Sequence, residues 1–292
     1  LSLHDALPIS PICRGCNVVV IVVDALRLDH VGAYGYNRDT TPRIDGFAGD
    51  SFVFENMVGS STWTKPAVAS LFTGFNPSRH GVGFNSDNPG WVAGGNVLPG
   101  GYVTLAELFR DRGYETYAVT NNPWLSSELG FSQGFTEFNL VSRDFSVGDR
   151  RVTERSLEYL QGLNEAPFFM YIHYLAPHAP YVPPHPFNET FLEASHEFIP
   201  TQGRFDYLGF EVSEGQKEYI VSQYDGEVRF VDGEVGRLLD EFERLGLLDD
   251  TVIVVTSDHG EMIFDRGHII GHGFQPYERS EEHTSELQSL LI

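Results

Sequence analysis

The chain is 292 residues long, carries a formal net charge of −22 at pH 7 and is 41% apolar. That acidity argues against a nucleic-acid partner or a general anionic-membrane surface, and any anionic substrate would have to be attracted locally, by a metal and a few cationic groups. Length and apolar content suit one sizeable α/β domain, with no repeat or low-complexity tract.

The two ends are set apart first. Arg279 to Ser289 resembles the translation of a common short-read sequencing adapter, and Leu1 to Ser10 resembles the opposite adapter in another frame. The expectation is one domain over 11–278, truncated, with 1–10 and 279–292 foreign to it. Cys13 and Cys16 form a lone C-x-x-C with no second ligand pair, which reads as a local disulfide or plain thiols.

Asn17 to Asp24 is a continuous β-branched run ending in a carboxylate, the pattern of a strand buried on both faces. Arg27 to Asp45 is a polar connection in which His30 reads as a structural, hydrogen-bonded histidine. Phe52 to Val58 reads as a short strand. Hydroxyl residues then lead into Pro66, and Ala67, Val68, Leu71 and Phe72 fall at helical spacing before Gly74. This predicts a helix with Thr64 as N-cap, its hydroxyl beside unpaired backbone N–H groups, where an oxyanion is stabilised. Lys65, one of only two lysines, is a candidate anion contact or a solvated first-turn residue.

Thr104 to Arg112 reads as a helix stopped at Gly113, and Tyr114 to Thr120 as the next strand. Asn121 stands at that strand's carboxyl end, a position suited to a substrate-contacting amide. Val152 to Leu163 reads as a helix and Phe168 to Leu175 as another buried strand, with His178 just past it as a catalytic candidate. Pro183 to Val212 is an irregular excursion with no assignable chemistry. Ser213 and Gln216 resemble a capping box opening a long helix to about Gly246. On that helix Asp225 and Asp232 share a face, either as a salt-bridged surface with Arg229 or as a second metal position. Thr251 to Glu261 repeats the pattern of the first strand and ends in Asp258-His259. In an open parallel sheet, ligands sit beyond the carboxyl ends of strands, so Asp24, Asp258, His259 and Thr64 are expected in one crevice as a divalent-metal site.

The ordered set Val-Val-Asp24-Ala-Leu-Arg27, Thr64-Lys-Pro66, His80-Gly-Val, Pro177-His178-Ala-Pro180, Ser257-Asp-His-Gly-Glu261 and Gly271-His-Gly273 resembles the sulfatase branch of the alkaline-phosphatase-like superfamily over about Asn17 to Glu278. The resemblance implies an α/β, three-layer sandwich with a mostly parallel central sheet flanked by helices, its C-terminal part missing here. It implies a metal-dependent catalytic domain and favours an extracytoplasmic or periplasmic location. Sulfatases proper carry a Cys or Ser, oxidised to formylglycine, where this chain has Thr64, and a Ser and Arg where it has Ala67 and Val68. Oxidation of threonine would give a ketone. Ala25 stands where many sulfatases carry a second metal-binding Asp. A Thr here resembles the phosphoryl-handling relatives.

The expected function is therefore hydrolysis or transfer of phosphate or phosphonate esters through a covalent Thr64 intermediate. One divalent ion (Ca, Mg, Mn or Zn) would be held by Asp24, Thr64, Asp258 and His259, with His178 and His272 as catalytic groups. Lys65, Asn121 and His268 would contact substrate, a small anionic ester or a lipid or glycan headgroup. Membrane association stays open. The alternatives are a sulfuric ester hydrolase without formylglycine and a non-catalytic binder of anionic glycans or headgroups.

Overall fold

The computed structural model describes residues 15–55, 57–83, 97–142, 148–164, 166–199, 212–264, 270–272 and 290–291. The strand β1 (Asn17–Val23) is central. It pairs in parallel with β5 (Phe168–Tyr174) on one side and β6 (Thr251–Thr256) on the other, with Val22 opposite His173 and Thr256. Beyond β5 lie β3 (Glu115–Thr120) and β4 (Glu137–Leu140), both parallel. Beyond β6, the two-residue pieces β9 (Leu290–Leu291) and β2 (Phe52–Val53) finish the edge, giving the order β2-β9-β6-β1-β5-β3-β4. A second, two-stranded pairing joins β7 (Met262–Ile263) to β8 (Ile270–Gly271).

Strand alternation divides the core in two. Val19, Ile21 and Val23 of β1 join Phe168, Met170, Ile172 and Tyr174 of β5 in one cluster. Helices α1 (Pro42–Ala48), α5 (Gly148–Gln161) and α6 (Glu214–Arg244) cover that face. Val20, Val22, Phe169 and Tyr171 point the other way, against Val68, Ala69 and Phe72 of α2 (Thr64–Thr73) and Ala106 of α4 (Leu105–Arg110). A sheet covered on both faces must be apolar throughout, which is why its strands read as continuous runs rather than alternating ones. The expected three-layer α/β sandwich is the observed one.

The predicted helix signals recur. Thr104 with Glu107, and Ser213 with Gln216, each close a reciprocal capping box. Gly74 ends α2 at φ +71°, a left-handed conformation that glycine adopts without cost. The N-cap of α2, however, is Trp63, and Thr64 is the first helical residue. Its hydroxyl is turned toward the sheet instead of back onto its own helix.

The salt-bridged reading of α6 is corrected at Asp225. Asp225 does not pair with Arg229 along α6; it accepts from His30 Nδ1 at 2.6 Å, Tyr36 Oη at 2.7 Å and Arg38 Nη1 at 2.7 Å, tying the connection after β1 to the helix. Asp232 accepts from the backbone N–H groups of Arg43 and Ile44 at the start of α1. Arg229 pairs instead with Asp232, Nη1 to Oδ2 at 3.3 Å, so the salt-bridged face is present in part; both aspartates also hold α6 against these segments, and His30 is structural as read. Cys16, buried at the start of β1, is disulfide-bonded.

Candidate active site

Four elements deliver side chains to one place because their alternation is in phase. Asp24 continues the Val20–Val22 face of β1, His173 continues Phe169–Tyr171 on β5, and Asp258 follows Val254 and Thr256 beyond β6. On β3 the same face runs Ala118, Thr120 and then Asn122. All of these point to the α2 side at the carboxyl edge of the sheet, where Thr64 begins the helix. Asn121, one residue earlier, turns to the opposite face. Its amide donates to Asp149 at 3.1 Å, and it packs against Gly148, where a Cβ would stand 2.2 Å from Asn121 Nδ2. The amide facing the crevice thus belongs to Asn122, a correction set by the two-residue period of the strand.

Thr64 Oγ1 lies 3.3 Å from Asp24 Oδ2 and 3.3 Å from His259 Nε2. Asn122 Nδ2 donates to Asp24 Oδ2 at 2.7 Å and approaches Thr64 Oγ1 at 3.4 Å. His259 Nδ1 donates to the Gly260 carbonyl at 2.8 Å, so its Nε2 faces the carboxylates, 3.3 Å from Asp24 Oδ1 and 3.7 Å from Asp258 Oδ2. His173 Nε2 is 3.2 Å from Asp24 Oδ2. Asp24, Thr64, His173, Asp258 and His259 are all buried.

The Sulfatase family model matches residues 16–287. The chain belongs to the sulfatase family. Human iduronate 2-sulfatase is 25% identical over 86% of this chain and 56% of its own length. The multifunctional alkaline phosphatase superfamily protein PehA of Trinickia caryophylli is 24% identical over 87% of this chain and 65% of its own. The chain thus spans somewhat more than half of the human relative and about two thirds of the bacterial one. Among solved structures, the phosphonate monoester hydrolase of Agrobacterium radiobacter superposes with a TM-score of 0.72 at 21% identity, covering 94% of this chain and 68% of that one. The C-terminal periplasmic domain of EptC from Escherichia coli, in complex with Zn, gives 0.67 at 18% identity, covering 95% and 72%.

In this sulfatase-family chain the buried charges are unevenly compensated. Burial works against the Asp24 carboxylate, yet hydrogen bonds from His173 and His259 and the charge of His178 and His259 outweigh it and hold that group well below the usual carboxylate range. Asp258 goes the other way, raised by burial and by the charge of Asp24. Burial lowers the His259 imidazole, but Asp258 and Asp24 more than offset this and push it up to about 10. Asp24 Oδ1 and Asp258 Oδ2 are buried without a hydrogen-bond partner. Two orphaned carboxylate oxygens beside imidazole nitrogens suit a divalent cation, because such atoms are otherwise costly to bury. The residues present fit the ion.

A second group adjoins the first. The His272 ring lies 4.3 Å from that of His259 and 4.7 Å from that of His178, centroid to centroid. His272 Nδ1 contacts Glu261 Oε1 at 3.1 Å, and Glu261 is itself buried. Burial lowers the His272 pKa. His178 Nδ1 donates to the Ala179 carbonyl at 2.5 Å. Lys65 is buried in the first turn of α2 rather than solvated, and burial lowers its ammonium pKa. His80 binds Ser70 and the Val82 N–H, a structural arrangement within the α2 region. His268 and Gly273 lie outside the described residues. Among the described residues no helix is long and apolar enough to cross a membrane.

His173 is the residue that sequence reasoning missed. The signal was a single imidazole inside the otherwise apolar and aromatic run Phe168 to Tyr174, one residue before the strand's end.

Proposed function

We propose that residues 11–278 form a metal-dependent catalytic domain that cleaves phosphate or phosphonate esters through a covalent Thr64 intermediate. The observation that carries the reading is the Thr64 hydroxyl, at the first residue of α2 and 3.3 Å from both Asp24 and His259. The relatives named phosphonate monoester hydrolase and alkaline phosphatase superfamily protein support the phosphoryl version. Asp24, Asp258 and His259 would hold the divalent ion, with Thr64 beside it. When bound, the ion supplies charge stabilisation to the ester oxygens and lowers the pKa of a nearby hydroxyl.

Everything else falls to the chain's own groups. Thr64 Oγ1 attacks phosphorus as its proton leaves to a neighbouring base, and the leaving alkoxide departs in line. The N-terminus of α2 faces the transferred group with backbone N–H groups and the positive end of the helix dipole. Asn122 orients Thr64 and Asp24 through one amide. His272, held by Glu261, and His178, held by the Ala179 carbonyl, each present a fixed tautomer toward the leaving group or the water that resolves the intermediate. Lys65 adds positive charge beside Thr64. The substrate is a small anionic ester or a lipid or glycan headgroup, and an extracytoplasmic location agrees with the periplasmic EptC domain.

A sulfate-ester substrate is the second reading, favoured by relatives named for sulfatase activity, since fold alone does not fix the substrate. Metal-loaded protein incubated with matched aryl sulfate, phosphate monoester and phosphodiester substrates separates the two. Mass spectrometry of the quenched reaction should find phosphate on Thr64, and Thr64→Ala should abolish both label and turnover. Turnover retained in Thr64→Ala would refute the mechanism.

A further inference from the structure

Asp24, His173 and Asp258 each offer a ligand atom, and these atoms lie within 4.8 Å of one another, all on buried residues. Ala25, next in the chain after Asp24, offers none. We infer that His173 is itself a ligand of the divalent ion, so that the site presents two carboxylates and two imidazoles. The inference rests on the metal-dependent reading above.

Three observations carry it. The two orphaned oxygens, Asp24 Oδ1 and Asp258 Oδ2, belong to residues of this cluster, so the positions needing a cation adjoin the His173 ring. The ring is also oriented: Tyr171 Oη lies 2.7 Å from Nδ1, which leaves Nε2 as the atom directed at Asp24. A metal-bound imidazole carries its hydrogen on the other nitrogen and donates it to an outer partner, a role the Tyr171 oxygen can fill. Finally, His173 is fully buried on a central strand, between β1 and β3, where a ligand is held more rigidly than on a loop. No proton is gained or lost by the ring on this account. The hydrogen sits on Nε2 while that atom donates to Asp24, and on Nδ1 once Nε2 binds the ion.

The donor set has a consequence for the ion itself. Two imidazoles with two carboxylates favour manganese or zinc over calcium, which prefers an all-oxygen shell. Tyr171 is then a positioning residue, acting on the ion only through His173.

The test is metal binding by the purified chain, independent of turnover. Isothermal titration with Zn²⁺, Mn²⁺ and Ca²⁺ is paired with X-ray absorption of the zinc form, which counts imidazoles from their outer-shell scattering. The parent protein should show two, and H173Q and H259Q one each. Glutamine can still donate a hydrogen bond to Asp24, so it retains a mere positioning role and loses the imidazole. Tyr171→Phe should keep two imidazoles and weaken zinc binding by roughly 10- to 100-fold, the usual effect of removing an outer partner. An unchanged imidazole count in H173Q overturns the inference. Should H173Q fail to fold, unchanged zinc affinity in Tyr171→Phe overturns it instead. Asp24→Asn separates the two levels. Loss of binding there with no effect of H173Q removes only His173 from the ion, whereas unaltered binding in Asp24→Asn removes the metal site on which both readings stand.

Discussion

Asp149 holds together the part of the fold that aims the site, and its protonation offers a direct check on how that part is built. It sits in the first turn of α5, fully buried. Its Oδ1 accepts from the Leu175 N–H at 2.7 Å and Asn121 Nδ2 at 3.1 Å, and its Oδ2 accepts from the Ala176 N–H at 3.3 Å. These contacts pin the exits of β3 and β5, from which Asn122 and His173 project. Burial raises the Asp149 carboxyl from 3.8 to about 6, against the opposing hydrogen bonds. The folded state therefore binds a proton that the unfolded chain has released. Stability from this group is fully present below about 3.8 and is lost as pH rises through about 6. The rise from 3.8 to about 6 corresponds to about 3 kcal/mol over the whole titration. Asp149→Asn keeps an acceptor for Leu175 and Asn121 but sets an NH₂ against the Ala176 N–H, a fixed cost of about 1–3 kcal/mol at every pH. Urea unfolding of both proteins at about pH 4 and about pH 7 should show the variant gaining about 2 kcal/mol on its parent between the two conditions, the remainder falling below pH 4. A difference that stays constant across that range would refute the burial argument. It would mean that the surrounding N–H groups already compensate the charge.

Other outcomes follow from the same contacts. Gly226→Ala improves helix propensity by up to ~1 kcal/mol, yet its Cβ would stand 2.5 Å from the Phe187 carbonyl oxygen. Thermal melts should show net destabilisation of about 1–3 kcal/mol, because neither α6 nor the backbone at Phe187 can yield cheaply. Asp225→Ala leaves the buried His30 and the half-buried Tyr36 and Arg38 without their acceptor and should cost about 1–3 kcal/mol in chemical unfolding. Asp225→Asn should leave the metal content of the folded protein unchanged, which elemental analysis can check. Chelation of the divalent ion should lower the melting temperature, since two orphaned carboxylate oxygens lose their counter-charge. Readdition of the ion should restore it.

Much of this architecture is readable in the residues because the signals are local. The runs Val18 to Val23 and Val252 to Val255 announce strands covered on both faces, and Thr104 and Ser213 announce helix starts, since a cap is decided within four residues. What escaped notice depends on partners far along the chain. Asp225 has an obvious local partner in Arg229, but the charges that reach it come from the connection after β1, nearly two hundred residues earlier. Thr64 has the local grammar of an N-cap, yet a buried carboxylate on β1 draws its hydroxyl away from the helix. Among the described residues, the expected Phe52 to Val58 strand is two residues long, Phe52–Val53, paired there with the equally short β9. Asn122 and His173 are a different case: both lie on the same strand face as residues already assigned to the interior, so counting by twos from Ala118 and Tyr171 would have reached them.

The charge of the site gives the proposed reaction an order. Asp24, Asp258 and Glu261 are three buried carboxyl groups around a few imidazoles, and of those rings His259 is the one whose pKa is pushed up to about 10. An arriving ester brings further negative charge into this space. Two like charges about 4 Å apart repel by ~4 kcal/mol at an effective dielectric constant of about 20, roughly a thousandfold in affinity for each uncompensated pair. Lys65 can offset only part of that, because burial already weakens its ammonium. A divalent cation held by Asp24, Asp258 and His259 would reverse the local sign, and His259 would have to be neutral to offer its Nε2. The ester can then approach along the N-terminus of α2. The acidic exterior is little obstacle, since charges more than about 8 Å away are largely screened at physiological salt. On the proposed mechanism the cation would therefore bind before the anion, because the repulsion to be overcome comes from the buried carboxyl groups at the site.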